Sequence, residues 1–159
     1  MADNYLEKRQ EAYLKQASKG VARKAAVSLA AMLAKCESDS FDGTYKVRAD
    51  QLDRVLSVIA PVAGSSICGV ALSCDAVAMS AELRDNRYSA NAYIFIGAAG
   101  GVDECVSFLL GRVVQLVQLQ CAEIGLATAL TFDFDRKNLS RDLNLSFEPY
   151  IAIAVGKCK

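Results

Sequence analysis

The chain has 159 residues, 53% of them hydrophobic, and its eighteen basic side chains are balanced by eighteen acidic ones. That composition excludes a disordered or purely polar segment and favours a single domain with one substantial core. The charge balance gives no electrostatic reason to expect nucleic acid or an anionic membrane as partner.

The chain contains no histidine. The commonest general base is therefore missing, along with every Ser-His or Cys-His nucleophile pair. The six cysteines, Cys36, Cys68, Cys74, Cys105, Cys121 and Cys158, show no CxxC spacing. The mixed, charged opening does not read as a signal peptide, so the expectation is a cytoplasmic protein with reduced thiols and no metal site. The longest apolar runs, such as residues 113–119, are interrupted by Gln and fall short of a membrane span.

Residues 4–18 read as a short amphipathic helix and 21–36 as an alanine-rich one, together forming an N-terminal helical extension over 1–34 ahead of a domain over 35–159. Phe41-Asp42-Gly43-Thr44 marks a turn. A helix opens near Ala49-Asp50 with Asp50 as its cap, carries Leu52, Val55, Leu56 and Ile59 at core spacing, and ends at Pro61. Residues 66–75 suit a buried strand. Residues 90–97 form the clearest strand, with Tyr93-Ile94-Phe95-Ile96 stopping at a glycine.

The longest helix is expected over 103–124, capped by Asp103 and terminated by Gly125. Its apolar residues cover more than one stripe, so it is either an ordinary core helix or one shared between subunits. Gly100-Gly101 before it is either an anion cradle or a plain strand-to-helix turn. A strand over 127–132, a short helix over 136–143 and a closing strand over 149–156 complete the order. Helices and strands interleave, which makes the class α+β or α/β.

Several segments, taken together, resemble a nitroreductase: Gln51 to Ala60 followed by Pro61-Val62-Ala63-Gly64-Ser65-Ser66; the long helix leading into Gly125-Leu126-Ala127-Thr128; Phe134-Asp135; and Ile151-Ala152-Ile153-Ala154-Val155-Gly156-Lys157. The opening Asn4-Tyr5-Leu6-Glu7-Lys8-Arg9 is similar to a branch of that family with a helical extension. The resemblance implies an α+β fold with a central, mainly antiparallel sheet flanked by helices, built as an intertwined homodimer. It implies FMN at the subunit interface and electron transfer from NAD(P)H to nitroaromatic or quinone-type acceptors.

The site residues it implies are Lys35, Ser65, Ser66, Thr131, Phe132, Asp133 and Lys157. Thr131, Phe132 and Asp133 either lay main chain along the flavin ring or simply end a strand. Lys157 and Lys159 either contact phosphate or are solvated surface charges. The family's early phosphate-binding segment falls on Cys36-Glu37-Ser38-Asp39-Ser40-Phe41, where Cys36 and Asp39 replace arginines and Glu37 replaces a serine. In the next motif Val62 stands for a serine and Ser65 for an asparagine. A phosphate needs cations and donors. FMN binding is therefore expected to be weakened or lost, and a flavin-free, non-catalytic dimeric relative that binds another small molecule or serves structurally is the alternative. No catalytic side chain is named by either reading.

Overall fold

The computed structural model describes residues 31–32, 34, 37–38, 40–63, 66–73, 83, 90–100 and 102–159. The expected helix over 4–18, most of the one over 21–36, and the site residues Lys35 and Ser65 lie outside these, as do Cys36, Asp39 and Cys74.

Among the described residues these elements follow one another: α1 (Ala49–Leu56), α2 (Ala60–Ala63), β1 (Ile67–Ser73), β2 (Ala92–Ala98), α3 (Glu104–Glu123), β3 (Ala127–Thr131), α4 (Arg136–Asp142) and β4 (Glu148–Gly156). The strands form one sheet in the order β1-β2-β4-β3, and every pairing is antiparallel. This is the expected α+β architecture with a central antiparallel sheet.

Period-two alternation sends the side chains of the two central strands to opposite faces. Ile94, Ile96, Ile153 and Val155 meet Val113, Val117 and Cys121 of α3 and Val55 of α1 on one face. Tyr93, Phe95, Ala152 and Ala154 meet Phe41 and Leu139 on the other. Both faces are thus covered, so β2 is buried along its whole length and reads as a continuous apolar run. Each fully buried Ile or Phe here contributes on the order of 1.5–3 kcal/mol of transfer free energy.

Helix α3 begins and ends as its sequence dictates. The Asp103 carboxylate accepts the Val106 amide at 2.8 Å. At the other end Gly125 takes φ +78, the Gly125 amide donates to the Ala122 carbonyl at 3.1 Å and the Leu126 amide to the Cys121 carbonyl at 2.8 Å. That paired 5→2 and 6→1 pattern is a Schellman cap, and its left-handed residue favours glycine. By length and mean hydropathy α3 would pass for a membrane-spanning segment. Leu110, Val113, Val114, Val117, Gln118 and Cys121 instead face the sheet and α1, while Phe108 on the opposite side is 73% exposed.

Three boundaries differ from expectation. Asp50 does not cap α1; Arg48 occupies the cap position, because the Gln51 side-chain oxygen accepts the Arg48 amide at 3.1 Å. Asp50 lies in the first turn and pairs with the Arg48 guanidinium at 2.8 Å. Pro61 does not end α1 either. It sits in the first turn of α2, where its missing amide leaves no bond unmade.

The third difference is at Gly97, which does not stop β2. The strand runs on to Ala98 through a register shift between Ile96 and Gly97. A Cβ at Gly97 would strike the Glu148 carbonyl and the Phe147 ring. The glycine permits close approach rather than termination.

Candidate functional site

The sequence-derived site residues fall at three places on the sheet. The first is the C-terminal end of β3. Thr131 pairs with Ala152 and is half-buried, while Phe132 and Asp133 beyond it are exposed. The chain then turns into α4, whose cap Asp135 accepts the Asn138 amide at 2.9 Å. Phe132 is 61% exposed and forms one wall of an apolar groove of about 530 Å³ between α3 and the β3–β4 edge. Leu110, Val114, Leu130 and Ile151 supply much of the rest. Arg136 lies at this groove with its guanidinium 4.1 Å from the centroid of the Tyr150 ring, in cation–π contact.

The second place is the opposite end of β3. Glu37 bridges Thr128, and the Ser38 amide donates to the Thr128 carbonyl at 3.0 Å. The chain turns at Ser38, whose hydroxyl donates to the Ser40 carbonyl at 2.8 Å, and then crosses to the end of β4. There fully buried Phe41 bridges Cys158, and the Asp42 amide donates to the Lys157 carbonyl at 2.7 Å. The Lys157 ammonium stands 5.7 Å from the centroid of the Tyr45 ring.

The Asp42 carboxylate accepts the Thr44 hydroxyl at 2.6 Å and the Thr44 amide at 2.9 Å. The hydroxyl first, then the amide, hold its pKa below the usual carboxylate range, with smaller help from Lys157 and Lys159. An anionic Asp42 therefore accompanies Lys157 and Lys159, and exposed Glu37 lies beside Thr128 on β3.

The third place is Ser66, exposed at the start of β1, whose carbonyl accepts the Ala99 amide at 3.0 Å. The strand order puts β1 and β3 on opposite edges, roughly 14 Å apart at the usual strand spacing. Thr131 and Lys157 are likewise at opposite ends of β3, since Thr131 faces Ala152 whereas Ala127 faces Gly156. Their separation along the strand direction is roughly 17 Å. Within one subunit, then, the fold brings Lys157 to the early segment 37–42 and Phe132 to the groove, but it does not gather Ser66, Thr131 and Lys157 into one cleft.

The Arg136–Tyr150 stack and the Tyr45–Lys157 contact went unread in the sequence. Each joins residues on different elements, and no local spacing signals them.

No family model matches the chain, and no curated protein matches it. Solved structures do. A nitroreductase family protein from Clostridium difficile 630 is 17% identical, with a TM-score of 0.62 over 80% of this chain and 83% of that one. A nitroreductase family protein from Clostridium novyi NT is 12% identical, with a TM-score of 0.67 over 83% and 86%. An FMN-dependent nitroreductase from Clostridium difficile R20291 is 13% identical, with a TM-score of 0.62 over 77% and 83%. The chain has the nitroreductase fold.

Proposed function

We propose that this chain works as a cytoplasmic, intertwined homodimer and is a nitroreductase-type oxidoreductase with a weakened hold on FMN. The observation that carries the reading is the early segment at the basic end of the sheet, where Ser38 is bonded to Thr128 and Asp42 to Lys157. This is the end at which the resemblance expects the flavin phosphate. The end is assembled in space, yet Glu37 and Asp42 bring carboxylates to it.

The residues fit the two ends of FMN unequally. At the ring end, Phe132 and Asp133 lie exposed beyond the end of β3, and main-chain contacts there do not depend on side-chain identity. The roughly 17 Å from there to Lys157 suits an extended mononucleotide. At the phosphate end the fit fails, because carboxylates repel a dianion. When bound, the flavin would supply the redox chemistry, relaying electrons from NAD(P)H to a nitroaromatic or quinone-type acceptor. This chain's residues would orient the ring and exclude water.

A second copy is part of the proposal. The open face of α3 carries Phe108, and Ser66 lies on the far edge of the sheet from Thr131, so one subunit leaves the cleft incomplete. Ser66 from one subunit and Thr131 to Asp133 from the other are proposed to meet across the interface.

The same carboxylates favour a second reading, a flavin-free dimeric relative that binds another small molecule. Titration of FMN into the wild type and into a Cys36→Arg, Glu37→Ser, Asp39→Arg variant separates the two. A weakened flavoprotein binds FMN substoichiometrically as purified, and the variant gains about tenfold or more in affinity. Wild type that retains one FMN per subunit through dialysis overturns the reading of the phosphate end. Failure of both proteins to bind selects the flavin-free relative.

A further inference from the structure

The side of α3 turned away from the sheet is apolar at its middle and charged on both flanks. The middle is Phe108, 73% exposed. Glu104 stands four residues before it and Arg112 four residues after it, both exposed. Residues four apart share a helix face, so the two charges flank Phe108 at about 6 Å along the axis on either side. Among the described residues neither charge has an ionic partner; the ion pairs there join Arg48 to Asp50, Arg54 to Glu123 and Arg141 to Asp142.

An acid, an aromatic ring and a base at equal spacing are complementary to their own reverse. In an isologous contact residue i of one copy meets residue j of the other, and j meets i. A twofold axis at right angles to α3 and beside Phe108 sets the two helices antiparallel. It lays the two Phe108 rings together and brings Glu104 of each copy level with Arg112 of the partner subunit. A parallel pairing would set Glu104 against Glu104 and Arg112 against Arg112. An antiparallel pairing centred on Arg112 would oppose the two guanidinium groups. Like charges in contact oppose association, so both alternatives are disfavoured.

We propose that α3 meets its twin in one register, antiparallel and centred on Phe108, with two reciprocal Glu104–Arg112 ion pairs that make this face specific for a second copy. The proposal rests on the homodimer reading and adds to it the residues that fix orientation. Phe108 supplies the apolar contact, which any apolar surface could match. The charges on either side of it select a partner that carries the same three residues in reverse.

The test uses the full chain and sedimentation across nanomolar to micromolar concentration. Glu104→Arg and Arg112→Glu each put like charges opposite one another in both pairs, and each should weaken the dimer about tenfold or more. The doubly exchanged variant, Glu104→Arg with Arg112→Glu, restores opposite charges in every pair and should return the dissociation constant to near the wild-type value. Circular dichroism checks that each variant keeps its helix content. Rescue by the double exchange is an outcome that a merely damaged helix does not give. A dimer that tolerates both single reversals, or a double variant no tighter than the singles, overturns the register while the homodimer stands. A wild type that is monomeric throughout overturns the homodimer reading, and the register with it.

Discussion

Asp42 and Lys157 are joined by a 2.7 Å main-chain hydrogen bond, the Asp42 amide donating to the Lys157 carbonyl. The bond fixes an acidic residue beside the two lysines that end the chain. Thr44 keeps that residue ionised by donating both its hydroxyl and its amide to it. The terminal lysines are thus partly neutralised by a carboxylate built into the same turn. Asp42→Asn should raise the affinity for FMN or inorganic phosphate several-fold at low ionic strength, and the gain should fade near molar salt as screening shortens the reach of exposed charges. An unchanged affinity at low salt would show that Asp42 does not face the anion.

The sign of the pH dependence follows from the same contacts. The folded-state pKa of Asp42 is depressed, so its stabilising contribution is fully present above the ordinary carboxylate value and is lost as pH falls through the depressed one. Thr44→Val removes the largest cause. The Asp42 pKa, followed by NMR titration, should rise toward the ordinary value in that variant. The stability lost by the variant should be full above the ordinary carboxylate value and should close as pH falls through the depressed one. A pKa that stays put would assign the depression to the Thr44 amide and the two lysines instead.

The open face of α3 makes a different prediction. Phe108 is 73% exposed in the single subunit, and half-buried Leu109, Leu116 and Leu119 share the helix with it. A dimer built on this face would bury on the order of 2,000 Å² or more. Phe108→Glu should therefore shift the protein from dimer to monomer in sedimentation at micromolar concentration while leaving secondary structure intact, since Phe108 makes no core contact in the subunit. A wild type that sediments as a monomer removes the dimer proposal altogether.

The elements that were legible in the sequence are those decided locally. Asp103 and Gly125 bracket α3 because a cap and a left-handed stop act within one turn of the chain. The strands were legible wherever β-branched and aromatic residues ran together, as in Tyr93 to Ile96. Asp50 misled because the choice of cap was made by the Gln51 side chain, which bonds back to Arg48. Gly97 misled because its reason is tertiary: Phe147 and Glu148 press on it from the neighbouring strand.

The site was legible only as chemistry, not as geometry. The acidic character of the early segment was plain in Glu37. Its docking against Thr128 depends on the sheet, and so does the separation of Ser66 from Thr131. Arg136 over Tyr150 depends on α4 folding back on β4, which no periodicity announces.

The thiols supply a prediction with a graded readout. Cys105 and Cys121 both lie on the apolar helix α3, yet Cys121 is buried and Cys105 is exposed at its first turn. The reason is its side of the helix: Cys105 shares the open face with Phe108 rather than the core face. Cys158 is also exposed and Cys68 is half-buried. In native protein Cys121 should react with a thiol reagent only at the rate of unfolding, and Cys158 within the mixing time. Denatured, unreduced protein should titrate six thiols. A count of four or fewer would mean disulfides or bound metal.

Two glycines test whether close approach or backbone freedom decides the register of the sheet. At Gly97 a Cβ would meet the Glu148 carbonyl and the Phe147 ring, both inside contact distance and one of them backbone that cannot swing away. At Gly43, in the turn ahead of Thr44, a Cβ would meet nothing within 4 Å. Neither residue takes a positive φ, which Gly125 alone of the described glycines does, so a methyl group costs no backbone strain at either site. Gly97→Ala must then push β4 away or undo the bulge after Ile96, a loss of about 1–3 kcal/mol or more. Gly43→Ala should lie within about 0.5 kcal/mol of the wild type, as exposed substitutions generally do. Urea unfolding of the two variants at constant pH gives both numbers. Equal midpoints would mean that the strand pair absorbs the methyl group by a shift too small to matter, and that Gly97 is dispensable to the register.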